Sequence, residues 1–150
     1  MTAAYLIQRF HLVPHPEGGY YARTYENERG TFSSILFLLT QDNFSAFHRI
    51  KSDEQWNWYC GDDIVLHEID VHGNYKPIVL SGNIGRENFQ YTIPGGSWFA
   101  SECLGENGYA LCGCTVVPEF RFEDFELANR EELIALHPQY KQMISRLTRV

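Results

Sequence analysis

Between residues 19 and 117 the chain runs in short apolar stretches, most of them alternating with polar positions. "GYYARTYE", "SSILFLL", "SAFHRI", "QWNWYC", "DIVLHEID", "YKPIVL", "NFQYTIP", "SWFASE" and "YALCGCTVV" are rich in β-branched and aromatic residues. Alternate side chains on a strand point to opposite faces, so these runs predict strands that turn one face to a core. Turn-forming segments separate them: "TQDN", "CGDD", "VHGN", "SGNIG", "PGG" and "LGENG". The two ends differ. In "TAAYLIQRFHL", Leu6, Ile7 and Phe10 follow Thr2, which predicts a short helix with Thr2 as its N-cap. "VPHPEGGYY" carries two prolines and a Gly-Gly pair, which predict an extended arm with a turn. In "NREELIALHPQYKQMISRLTRV", Leu133, Ile134 and Leu136, then Met143, Ile144 and Leu147, recur at helical spacing. Pro138 divides them into two short helices. Many short strands at regular spacing predict an all-β sandwich or barrel with helical ends, a single domain over residues 1–150. No linker, repeat or low-complexity segment interrupts it.

Composition narrows the class. The chain of 150 residues is 44 % hydrophobic and 21 % charged, enough apolar material for one well-formed core. Aromatics reach 15 %, which suits strands and a lined interior. Twelve Lys and Arg against nineteen Asp and Glu leave a net charge of −7. That field opposes a phosphate backbone and argues against nucleic acid as a partner. "MTAAYLIQRFHL" has neither a basic region nor a long apolar run, so no signal peptide is predicted. Apolar runs such as residues 35–39 are too short to cross a bilayer, which argues against a membrane partner. The four cysteines form no CxxC and no zinc-ligand spacing. They are read as reduced thiols, which implies a cytoplasmic setting.

The candidate chemistry centres on "FHRIKSDEQWNWYCG". On a strand His48 and Ile50 share a face, and Glu54 opens the next strand with Trp56 and Trp58 on its own face. A carboxylate beside an imidazole fixes the tautomer and raises basicity. His48 is therefore a candidate general base, with Glu54 as its orienting partner or a second acid–base group. The alternatives are a histidine hydrogen-bonded within a β core, or a structural ion pair. Tyr21 or Tyr109 could donate a proton. His15, Glu17 and Tyr20 lie in the proline-glycine arm, either as a solvated turn or as part of a segment closing over a barrel mouth. Trp56, Trp58, Trp98 and Phe99 are either core filling or the walls of a pocket for a ring or sugar. Arg23 and Arg49 are candidate anchors for an anionic ligand, and Cys112 and Cys114 read as small core residues.

His48, Glu54 and Gly61 fall in register on a pattern that resembles the first signature of the cupin superfamily, but Ile50 stands where that signature has its second histidine. "IPGGSWF" resembles the second signature through Pro94 and Gly96, with Phe99 in place of its histidine. Ile50 and Phe99 offer no lone pair, so no metal cofactor is expected. "VPHPEGGYYARTY", "FHRIKSDEQWNWYCGD", "PGGSWFA", "YALCGCTVVPEF" and "FEDFELANREELI" are together similar to one small single-domain cupin family, known mainly as a domain of unknown function. The likeness runs from about Leu12 to Leu136. Asn57 and Glu119 depart from it, standing where the family often has His and usually has Gly. The resemblance implies a double-stranded β-helix (jelly-roll) barrel and a homodimer. It also implies kinship with metal-free sugar-nucleotide epimerases that use a histidine base. The resulting expectation is a metal-independent isomerase or epimerase of a small polar molecule, carbohydrate-like or nucleotide-linked. The alternatives are a non-catalytic small-molecule-binding cupin and a metal-dependent cupin enzyme such as a dioxygenase or decarboxylase.

Overall fold

The computed structural model describes residues 1–85 and 88–150. Among these, β1 (Val13–Pro14), β2 (Tyr20–Glu26), β3 (Ser33–Thr40), β10 (Tyr109–Val117), β5 (Asp53–Gly61) and β8 (Gln90–Ile93) form one sheet, in that order. A second sheet runs β11 (Glu126–Leu127), β4 (Ser45–Arg49), β9 (Trp98–Leu104), β6 (Asp63–Ile69) and β7 (Tyr75–Leu80). Every pairing between named strands is antiparallel. Helix α1 (Ala3–Phe10) precedes the barrel, and α2 (Arg130–Leu136) and α3 (Lys141–Arg146) follow it.

The nine predicted strands and three predicted helices are all present. Thr2 caps α1 by accepting from the Tyr5 N–H, and Asn129 caps α2 by accepting from the Glu132 N–H. Pro138 opens the 3-10 turn that separates the last two helices. The two-residue strands β1 and β11 are too short to leave a periodic signal.

Alternation sorts the apolar residues into three clusters. Phe37, Leu39, Trp56, Ala110, Cys112 and Cys114 of one sheet meet Ile64, Leu66, Ile78, Leu80, Phe99 and Cys103 of the other inside the barrel. Leu38, Tyr109 and Leu111 point the opposite way and are covered by Leu6 of α1 and by Leu12. On the second sheet Phe47, Ile69, Trp98 and Ala100 face outward beneath Leu133, Ile144 and Leu147. Both sheets are thus buried on two faces, which is why β3 reads as an unbroken apolar run and not as an alternation. Arg146 of α3 grips Glu102, Glu102 accepts from the ring of His67, and His67 bonds the Tyr75 hydroxyl, fixing α3 to β6, β7 and β9.

Strand β4 is held from both ends of the sequence. The Ala46 N–H donates to the Glu17 carbonyl at 2.7 Å, and the Phe47 N–H donates to the Leu147 carbonyl at 2.8 Å. Arg149 donates to the Phe44 carbonyl at 2.7 Å and lies 3.9 Å over the Phe44 ring. Gly18 threads this junction with φ of 112°, and a Cβ there would sit 2.0 Å from the Phe44 carbonyl oxygen. Only glycine fits both the angle and the gap. All four cysteines are free thiols. Among the described residues no helix is long and apolar enough to cross a membrane.

Candidate functional site

One cavity opens at the end of the barrel where the N-terminal arm crosses it. Its walls include His15, Glu17, Tyr21, Arg23, His48 and Glu54, all singled out in the sequence. Ile35, Ile50, Cys114, Val116 and Phe120 complete the apolar part. About 430 Å³ of empty space lies within, part of it open to solvent.

The arm and β4 bring the first pair together. His48 Nδ1 lies 2.7 Å from the Ala46 carbonyl, an acceptor only, so Nδ1 carries the ring proton. His48 Nε2 then faces Glu17 Oε2 at 3.1 Å, and Ser45 Oγ donates to Glu17 Oε1 at 3.0 Å. Burial lowers the His48 pKa to about 3, and burial followed by the nearby Glu54 charge pushes Glu17 well up. The shared proton therefore sits on Glu17 and is donated to His48 Nε2: a neutral hydrogen bond, not an ion pair. His15 Nδ1 accepts from the Glu17 N–H at 3.3 Å, and burial among the Tyr21, Phe37 and Phe120 rings brings its pKa to about 4. Glu54, 8 % exposed, has its pKa raised by burial to about 7, and the Cys114 thiol lies on the same wall.

The expected pairing of His48 with Glu54 is corrected. β4 and β5 are consecutive in sequence but belong to opposite sheets, and the carboxyl group on His48 is that of Glu17. Other expectations fall away from the cavity. Tyr109 lies on the outward face of β10 beneath α1, so it cannot donate a proton into the barrel, and Tyr20 packs in the same outer cluster. Trp56 is core, 1 % exposed, edge-on to Phe37 and Phe99. Trp58 packs at the margin of that core, with its indole N–H on the Asp62 carbonyl. Trp98 lies under the C-terminal helices. Phe99 backs His48, with ring centres 4.1 Å apart, and is not a wall residue. Arg49 sits outside, paired with Glu126 and 4.5 Å over the Trp98 ring. Arg49→Ala is accordingly expected to cost less than about 1 kcal/mol in denaturant unfolding and to leave cavity binding unchanged. A loss of binding in a folded Arg49→Ala protein would reverse this placement. Ser45, Ile35, Val116 and Phe120 were not anticipated; an isolated serine or valine in a strand carries no chemical signature.

The donor set does not fit a cupin-type metal. Ile50 and Phe99 bring no lone pair, and His15 Nδ1 and His48 Nε2 both lie against the same Glu17 oxygen, at 3.5 and 3.1 Å. Among the described residues no group of three or more His, Cys, Asp or Glu side chains is arranged to hold a metal ion.

Comparison with known proteins agrees with this architecture. A hypothetical protein from Leishmania major is 35 % identical over 100 % of both chains, with a TM-score of 0.92. A protein from Shewanella oneidensis is 34 % identical, covering 99 % of this chain and 98 % of its own, with a TM-score of 0.93. Oxalate decarboxylase from Bacillus subtilis shares the fold at a TM-score of 0.61 but only 16 % identity, over 94 % of this chain and 37 % of its own. Comparison with curated proteins gave no match. Residues 4–128 match the family described as Cupin superfamily (DUF985), and the chain belongs to that family.

Proposed function

We propose that the cavity binds a small polar, carbohydrate-like or nucleotide-linked molecule and catalyses a metal-independent proton transfer at one of its carbons, as an isomerase or epimerase does. One observation carries this reading: the buried carboxyl groups of Glu17 and Glu54 and the imidazoles of His15 and His48 surround one cavity, and burial pushes Glu54 up to about 7. A general base works best when its pKa lies near the operating pH. Glu54 in its ionised form takes the proton. Glu17, whose proton is shared with His48, returns one, and Tyr21 supplies a further hydroxyl at the wall. His48 therefore acts through Glu17, as its positioning partner.

Incubation in D₂O with aldoses, ketoses and nucleotide sugars, followed by proton NMR, is expected to show loss of a single carbon-bound proton signal. Glu54→Gln is expected to slow that exchange about a hundredfold. A compound that binds in the cavity without any exchange would leave a non-catalytic binding protein.

We also propose a homodimer. Val13, Tyr25, Phe32 and Tyr59 remain exposed on or beside the six-stranded sheet, and among the described residues β1 presents an unpaired edge. Light scattering is expected to give about 35 kDa, twice the 17.4 kDa chain. A monomer mass at micromolar concentration would exclude it.

A further inference from the structure

Two buried carboxyl groups face the cavity. Glu17 and Glu54 are both more than nine-tenths buried, at 6 % and 8 % exposure. The imidazoles beside them are neutral: His48 is fixed between Ala46 and Glu17, and His15 is enclosed by aromatic rings. The Arg23 guanidinium, on the same wall, is engaged by Glu26. The Cys114 thiol, a weak donor, lies on the same wall as Glu54. A buried carboxylate with spare acceptor positions is unfavourable unless something pairs with it. On the rest of the wall Ile35, Ile50 and Val116 supply apolar surface, and Tyr21 and Ser33 bring a hydroxyl each.

We infer that the cavity selects a molecule carrying a protonated primary amino group, with its ammonium at one oxygen of the Glu54 carboxylate, the other oxygen remaining for the proton transfer, and its carbon frame against Ile35, Ile50 and Val116. The inference rests on the reading of the cavity as a site for small polar molecules and names the class among them. An ammonium has three donors and no acceptor, which complements the buried Glu54 carboxylate. A neutral hydroxyl in its place leaves the Glu54 charge without a counter-charge. An anion forces Glu54 to remain protonated.

These cases differ in the sign of the proton linkage. A cation favours ionised Glu54 and expels its proton on binding, whereas an anion draws a proton in. With the Glu54 pKa at about 7, roughly half the carboxyl groups are protonated at pH 7, so a cation releases about half a proton per site.

The test uses the full chain and three polyols with the same carbon skeleton: glucamine, sorbitol and gluconate, which end in an amine, a hydroxyl and a carboxylate. Titration calorimetry at pH 7, in two buffers of different ionisation enthalpy, gives both affinity and proton count. Glucamine is expected to bind at least about tenfold more tightly than sorbitol, with proton release. Glu54→Gln is expected to remove the preference, and Glu54→Asp, which keeps the charge, to retain part of it. Should Glu54→Gln not fold, the wild-type proton count decides alone. Equal affinity for glucamine and sorbitol, tighter binding of gluconate, or proton uptake with glucamine overturns the inference and leaves the polar-molecule cavity standing. Failure of all three to bind overturns both.

Discussion

Glu54→Gln is expected to melt about 6–12 °C above the wild type at pH 8, and within about 2 °C of it at pH 4.5. Burial raises the Glu54 pKa from 4.5 to about 7 in the folded chain. Below pH 4.5 the group is protonated in both folded and unfolded states, and burial carries no ionisation penalty. As pH rises from 4.5 to 7 the unfolded chain ionises and the folded chain resists, so stability falls across that window and is constant above it. A separation of about 2.5 pKa units corresponds to about 3 kcal/mol, and a domain of this size gains about 2–4 °C per kcal/mol. Glutamine never ionises, so it escapes the penalty. The acidic limb of the wild-type curve belongs to His15 and His48. Their folded pKa values of about 4 and 3 make protonation unfavourable as pH falls below 6.5, and the variant shares that loss. Melting curves that shift equally at both pH values, or a variant less stable at pH 8, would show that Glu54 is not held against its charge.

Glu17 separates a hydrogen bond from an ion pair. Glu17→Ala is expected to cost about 3 kcal/mol in denaturant unfolding, because it leaves His48 Nε2 and the Ser45 hydroxyl buried without a partner. Glu17→Gln is expected to cost less than about 1 kcal/mol. Its amide N–H₂ donates to His48 Nε2 as the protonated carboxyl does, and its carbonyl accepts from Ser45. Were the native pair His⁺ and carboxylate, the same substitution would strand a buried cation at about 3–5 kcal/mol. Equal losses for Ala and Gln would therefore discard the neutral assignment.

The strands and helices were legible because their signals are local. Alternation marks a strand such as Gln55–Cys60, and Thr2 or Pro138 marks a boundary wherever it lies in the fold. Half of the cavity was legible in the same way. His15, Glu17, Tyr21, Arg23, His48 and Glu54 were recognised by residue type and motif, and the folded chain gathers all six. What sequence spacing could not supply was pairing across the barrel. Adjacent strands β4 and β5 looked like neighbours, yet chain crossover sends them to opposite sheets, and the partner of His48 arrives from 31 residues upstream. Nor does alternation say which face is inward when both are apolar. That is why Tyr109, Trp98 and Tyr20 were candidates on the wrong side of their sheets.

The double hold on β4 has a consequence for how the protein is made. Glu17 leaves the ribosome early, but the strand it docks on is braced by Leu147 and Arg149, and the arm at Gly18 packs against the Arg149 guanidinium. The cavity's first carboxyl group is therefore expected to stay unseated until residues 147–149 have also emerged. A nascent chain arrested before residue 147 should expose residues 11–19 to protease, and protection should appear only once residue 149 has emerged. Early protection would mean that the arm docks without its brace.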